Sequence, residues 1–156
     1  MIAKDTSDIT KAAQIIQSGG LIAFPTETVY GLGANALNTL AVAKIFEAKK
    51  RPLFDPLIVH IANTLSLKEL IQETPPTAKK LIHHFWPGPL TIIFKKTKIV
   101  PDLVTAGFDT VAIRMPNHPI ALELIKESRC PIAAPSANPF GKLSPTQASH
   151  VKKALK

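Results

Sequence analysis

Proline punctuates this chain more than any other residue, with fourteen among 156 residues. Each proline fixes its own φ, lacks an amide donor and disfavours helix in the residue before it, so prolines mark segment ends. Pro25, Pro52, Pro56, the Pro75-Pro76 pair, Pro87, Pro89, Pro116, Pro119, Pro131, Pro135, Pro139 and Pro145 stand where helices and strands change over. Elements must therefore be short. Ile9, Ala12, Ala13 and Ile16 recur at helical spacing over residues 8–17 and are followed by Gly19-Gly20 as a stop. The same reasoning predicts helices over 39–48, 65–72, 77–85, 119–128 and 146–155. Short apolar runs predict strands over 21–24, 57–61, 90–94, 110–115 and 131–134. Residues 25–28 read as a polar turn. The strands near Leu90 and Val111 are joined without an obvious helix, so the expected fold is a single α/β domain with a mixed parallel and antiparallel sheet and flanking helices.

Composition excludes several classes. A hydrophobic content of 46% rules out intrinsic disorder, and no apolar stretch reaches the ~18 residues of a membrane span. The N-terminus lacks an apolar signal core and Cys130 is the sole cysteine, which together suit a reducing compartment, the cytoplasm. Nineteen Lys and Arg against eleven Asp and Glu give a net charge of +8, which favours polyanionic partners.

Four segments carry more polar chemistry than ordinary connections need. Pro25-Thr26-Glu27-Thr28-Val29-Tyr30-Gly31-Leu32-Gly33 offers two hydroxyls, a carboxylate and a phenol beside glycines that let backbone approach a ligand. It reads equally as a hydroxyl-capped turn. Lys49-Lys50-Arg51-Pro52 follows a helix, where cations complement the helix dipole or clamp a polyphosphate. No Walker-type glycine loop accompanies it. His60 interrupts the apolar run Leu57-Ile-Val-His60-Ile61, a position taken more often by a satisfied core histidine than by a ligand group. Ala133-Ala134-Pro135-Ser136-Ala137-Asn138-Pro139 ends a strand in small residues with a Ser/Asn pair on rigid backbone. Ser144, before Pro145, fits either a ligand contact or the cap of the last helix. His60, His83, His84 and Cys130 form no zinc spacing, and Ser136 lacks the frame of a nucleophile elbow.

In order along the chain, Gly19-Gly-Leu-Ile-Ala-Phe-Pro-Thr-Glu-Thr-Val-Tyr-Gly-Leu-Gly33, Lys49-Lys-Arg-Pro52, Pro56-Leu-Ile-Val-His60, Phe85-Trp-Pro-Gly-Pro-Leu-Thr91, Val111-Ala-Ile-Arg-Met-Pro116 and Ala134-Pro-Ser-Ala-Asn138 resemble the threonylcarbamoyl-AMP synthase family, the YrdC-like proteins. The resemblance implies a twisted open mixed sheet around a concave, positively charged cavity. It also implies a nucleotidyltransferase that takes L-threonine, bicarbonate or CO2, and ATP with Mg2+ to threonylcarbamoyl-AMP and pyrophosphate. The product would feed a tRNA-modification transferase complex that forms N6-threonylcarbamoyladenosine. Carried over by position, Thr28, His60, Arg114 and the backbone near Ala134 surround threonine. Lys49 and Arg51 face the ATP phosphates, while Asp55, Thr110, Ser136, Asn138 and Ser144 lie along the nucleotide. Lys49, Arg51 and His60 are the expected catalytic residues, with His60 orienting the amine or accepting its proton. Asp55 stands where the family commonly has Asn, and Lys50 where it often has a small residue. Family members usually continue past the point where this chain stops, so residues 1–156 are expected to form a YrdC-like domain lacking its C-terminal end.

A rival reading is a noncatalytic module that binds double-stranded RNA or tRNA, or associates with ribosomes, through the same basic charge. The set Thr28, His60 and Arg114 discriminates, because an RNA groove needs cations and not a pocket of amino-acid size.

Overall fold

The computed structural model describes residues 1–155. Helix α1 (Ile9–Gln17) leads into strands β1 (Ile22–Phe24) and β2 (Gly31–Asn35), and helix α2 (Thr39–Lys49) precedes β3 (Ile58–His60). The short α3 (Leu67–Leu70) and α4 (Pro76–Phe85) connect to β4 (Thr91–Lys95). The single turn α5 (Asp102–Thr105) joins β4 to β5 (Thr110–Arg114), then α6 (Pro119–Ser128), β6 (Ile132–Ala133) and α7 (Ala148–Ala154) complete the order. The six strands form one open sheet in the order β1-β2-β6-β3-β5-β4. Among the described strands, β3 and β5 pair in parallel and the other strand–strand pairings are antiparallel. The expected mixed α/β sheet is what the chain forms.

Helix ends follow local chemistry. The Asn38 side chain accepts from the Ala41 amide to cap α2, and Lys50 closes the same helix in the left-handed conformation (φ 51). Pro76 and Pro119 occupy first-turn positions of α4 and α6, where the missing amide costs nothing.

Strand periodicity divides the core into two layers. Val59, Ile61, Val111, Ile113, Phe94 and Ala133 face α2 and the α3–α5 region, joining Val42, Ile45, Phe46, Leu67, Leu70 and Val104 in the larger cluster. On the other side, Ile22, Phe24, Ile132 and Ala134 pack under α1 and α6, against Ala12, Ala13, Ile16, Ala121 and Leu124. That second pair of helices covers the β1–β6 half of the sheet. Over β3, β5 and β4 the same face stays open, and Ile93 is 69% exposed there. A partly uncovered sheet face of this kind is where a ligand can enter without displacing core.

The structure corrects several expected boundaries. Residues 31–35 form β2, although Gly31-Leu-Gly-Ala-Asn carries none of the branched residues that signal a strand. Its glycines serve packing: a Cβ at Gly33 would lie 2.6 Å from Ile132 Cγ2 and 2.7 Å from Phe24 Cε1. The helix expected over 65–72 is a 3-10 turn, Thr64–Ser66, followed by the single turn α3. The final helix begins at Ala148 behind Gln147, so Ser144 does not cap it.

Candidate active site

Parallel pairing of β3 with β5 sets His60 opposite Arg114, and antiparallel pairing of β4 sets Thr91 on the other side of Arg114. His60 and Arg114 alternate with Val59 and Ile113, so the register that buries those two in the larger core turns the polar pair to the opposite face of the sheet. Both are buried, at 4% and 8% exposure. The His60 ring meets Phe24 edge-on with centroids 6.2 Å apart. Within this pair, His60 Nδ1 and Arg114 Nε lack a hydrogen-bond partner among the described residues. Buried polar atoms are rarely left unpaired without a functional reason.

The loop after β1 closes over this pair. Thr26 Oγ1 accepts from the Thr28 and Val29 amides at 3.2 Å each and donates to the Val29 carbonyl at 2.7 Å, folding residues 26–29 into a tight turn. The turn presents Thr28 and Glu27 to β5. Arg114 Nη2 lies 2.7 Å from Glu27 Oε1 and donates to Thr28 Oγ1 at 3.2 Å. Burial alone would raise the Glu27 carboxyl. The Arg114 hydrogen bond and the Asn117 amide outweigh that and hold it below the usual carboxylate range. Burial, followed by the Arg114 charge, pushes His60 down to about 4, so its imidazole is neutral at physiological pH. Glu27 stands among the polar groups of the 25–33 segment, and its pairing with Arg114 emerges only in the folded chain. No cation lies within four residues of it, so nothing local signals its partner.

The segment behind β6 joins the same wall. Gly31 bridges Ser136, the Leu32 amide donates to Pro135 O, and the Ala137 amide donates to Tyr30 O, both at 2.8 Å. Ala134, buried against the second core layer, takes its place by donating its amide to Ile58 O at 2.9 Å. Asn138 is buried and its Nδ2 donates to Pro139 O and Lys142 O, at 2.9 and 2.8 Å, while its Oδ1 lacks a partner among the described residues.

Lys49 and Arg51 flank this wall, and neither projects freely. Lys49 is 1% exposed and its ammonium donates to the Ser136 and Asn138 carbonyls. Burial, reinforced by the Arg51 charge and opposed by Asp55, lowers it to about 8. The Phe140 amide donates to Lys49 O at 2.9 Å, so the end of α2 is fastened to residues 136–140. Arg51 folds the next loop: Nε donates to Asp55 O at 3.1 Å, Nη2 to Pro56 O at 3.0 Å, and Nη2 pairs with Asp55 Oδ2 at 2.9 Å. Its guanidinium also sits 5.9 Å from the Phe140 ring centroid. Asp55 is thereby an internal counterion of Arg51. Thr110 lies at the far end of the β5 face from Arg114, beside a largely apolar cavity of about 270 Å3 lined by Pro56, Ile93, Phe108 and Ala112. Ser144 is exposed, next to Pro145, whose carbonyl accepts the Tyr30 amide at 2.8 Å. Thr28, His60, Arg114 and Ala134 thus lie together on the sheet face opposite the larger core. Lys49, Arg51, Asp55, Ser136 and Asn138 lie along one flank, with Thr110 at the far end of β5 from Arg114.

The Sua5/YciO/YrdC family model, whose description reads "Telomere recombination", matches residues 14–156. The chain belongs to this family. It is 59% identical over 140 residues to the threonylcarbamoyl-AMP synthase of Pyrococcus abyssi (strain GE5 / Orsay), covering 90% of this chain and 41% of that relative. It is 56% identical over 151 residues to the synthase of Bacillus subtilis (strain 168), covering 96% and 44%. A crystal structure of P. abyssi Sua5 complexed with L-threonine superposes with a TM-score of 0.96 at 53% identity, covering 99% of this chain and 47% of that one. This member of the family therefore spans less than half the length of these relatives. The single-domain α/β fold with an open mixed sheet and flanking helices, expected from the family's motifs, is the one observed, and among the described residues no helix is long and apolar enough to cross a membrane.

Proposed function

We propose that this chain carries the threonylcarbamoyl-AMP synthase site, a nucleotidyltransferase acting on L-threonine, bicarbonate and ATP. The observation that carries the reading is the Arg114 guanidinium, opposite His60 in the β3–β5 ladder and hydrogen-bonded to Thr28. A ligand carboxylate would find its cation there, and a relative 53% identical to this chain has been crystallised with L-threonine. Arg114 would take the carboxylate by charge-assisted hydrogen bonds of ~1.5–3 kcal/mol each, with Thr28 beside it.

In the proposed reaction the threonine amine attacks bicarbonate, losing its proton and expelling water to give the carbamate. A carbamate oxygen then attacks the α-phosphorus of ATP, the α–β phosphoanhydride breaks, and pyrophosphate leaves. His60 suits orientation of the amine better than removal of its proton. An imidazole lowered to about 4 is a weak base toward an α-amino group that titrates near ~8. Lys49 and Arg51 supply positive potential on the phosphate flank, and the wall they hold, residues 136–140, positions the nucleotide. Mg2+ would neutralise the developing pyrophosphate charge. No group of three or more His, Cys, Asp or Glu among the described residues forms a cage for it, which suits an ion carried in on the ATP phosphates. The product suits consumption by a tRNA-modification transferase complex, in the ATP-rich, reducing cytoplasm.

The test is threonine-dependent pyrophosphate release from Mg-ATP in bicarbonate buffer, with threonylcarbamoyl-AMP identified by mass spectrometry. Release that requires both threonine and bicarbonate, and is lost in Arg114→Ala, is the expected result. Release independent of threonine overturns the reading.

A further inference from the structure

We propose that Glu27 is a positioning residue that fixes the Arg114 guanidinium for an incoming carboxylate. The inference rests on the threonine reading above and extends it to a side chain outside the family-derived set. Arg114 Nη2 forms an ion pair with Glu27 Oε1 at 2.7 Å and donates to Thr28 Oγ1 at 3.2 Å. The guanidinium plane is thereby set at one corner while the buried Nε–H has no partner among the described residues. A guanidinium whose plane is held in advance by Glu27 and Thr28 is pre-organised for a carboxylate.

Glu27 can hold that plane because it is itself held. The Thr26 turn fixes its backbone, and its side chain is only 20% exposed. Its charge also lets a guanidinium buried beside the neutral His60 exist before any ligand arrives, since an uncompensated buried cation is costly. Glu27 then acts through Arg114, without touching the substrate.

The experiment compares the whole parent chain with Glu27→Ala and Glu27→Gln by two measurements. The first, without ligand, follows the Arg114 Nε–H resonance by nitrogen NMR, assigned with Arg114→Lys. A sharp signal in the parent, exchange-broadened in Glu27→Ala and partly restored in Glu27→Gln, is expected. The second titrates L-threonine calorimetrically. Glu27→Ala weakens binding by about tenfold or more and Glu27→Gln, which keeps an acceptor, by about threefold, with ATP affinity changed less than about twofold. An Arg114 signal unchanged in Glu27→Ala overturns the inference whatever threonine does. So does a loosened Arg114 with threonine affinity unchanged, or tighter binding in Glu27→Gln, which would make Glu27 a competitor of the substrate. A parent chain that binds no L-threonine overturns the threonine reading and this inference with it, and the first measurement separates the two failures.

Discussion

His60 and Arg114 are Cα partners in the parallel β3–β5 ladder, and each carries a buried nitrogen with no partner among the described residues. The register puts a cation and an imidazole side by side on one face of the sheet, with Thr91 on the other side of Arg114. Burying such groups costs stability. The arrangement makes the strand ends a site and sets how the protein responds to pH and to substitution.

His60 predicts one acid-side response. Its pKa falls from 6.5 to about 4 on folding, so between those values the unfolded chain binds more protons than the folded one. Its stability contribution is complete above 6.5 and is lost as pH falls toward 4. Chemical denaturation across that window should show the parent losing stability more steeply than His60→Gln. Equal slopes would assign the acid sensitivity to other groups.

Lys49 predicts the opposite end of the scale. Lowered from 10.5 to about 8, it binds a proton less readily in the folded state, so stability should rise with pH between those values. Lys49→Met should flatten that rise. NMR titration of the Lys49 side chain should give a midpoint near 8; a midpoint in the ordinary lysine range would show that the Ser136 and Asn138 carbonyls retain the charged form against burial.

Asp55 neutralises Arg51 at 2.9 Å on the flank assigned to the phosphates. Asp55→Asn keeps the shape and removes the charge, so Mg-ATP should bind about threefold more tightly, with the gain shrinking as salt screens it. Titration at two ionic strengths decides. Weaker binding in Asp55→Asn would mean that the ion pair matters for the shape of the 51–56 loop more than its charge matters for the ligand.

Gly33 is predicted to resist enlargement. An added Cβ would meet Phe24 and Ile132 at 2.7 and 2.6 Å, both packed in the layer under α1 and α6. Gly33→Ala should cost about 1–3 kcal/mol through overpacking, read as a lower melting temperature. An unchanged melting temperature would show that β2 can shift away from this layer.

Most elements were legible because they follow local rules. The helix over 8–17 declares itself by the spacing of Ile9, Ala12, Ala13 and Ile16, all buried as α1. The strands of β3, β4 and β5 declare themselves by branched apolar runs. β2 does not, because its residues were selected by what packs on them: Gly33 is a glycine to admit Phe24 and Ile132, a requirement visible only after folding. Ser144-Pro145 reads as a helix start, yet the helix begins at Ala148 because the Pro145 carbonyl is engaged by the Tyr30 amide.

The candidate site divides the same way. Its membership was legible: the polar segments around Thr28, Lys49, His60, Arg114 and Ser136 stand out against apolar flanks and carry the family resemblance. Their partnerships were not. Thr28 and Arg114 are 86 residues apart, and Lys49 reaches carbonyls 87 and 89 residues away. Sequence alone determined the mixed α/β class, the short proline-bounded elements, the positive charge and the identity of most polar groups, since these depend on composition, backbone restriction and local periodicity. Only the tertiary structure decided that Glu27 holds Arg114, that Asp55 cancels Arg51 and that Lys49 turns inward. Pairings between distant segments are fixed by strand register and burial, and no local pattern encodes them.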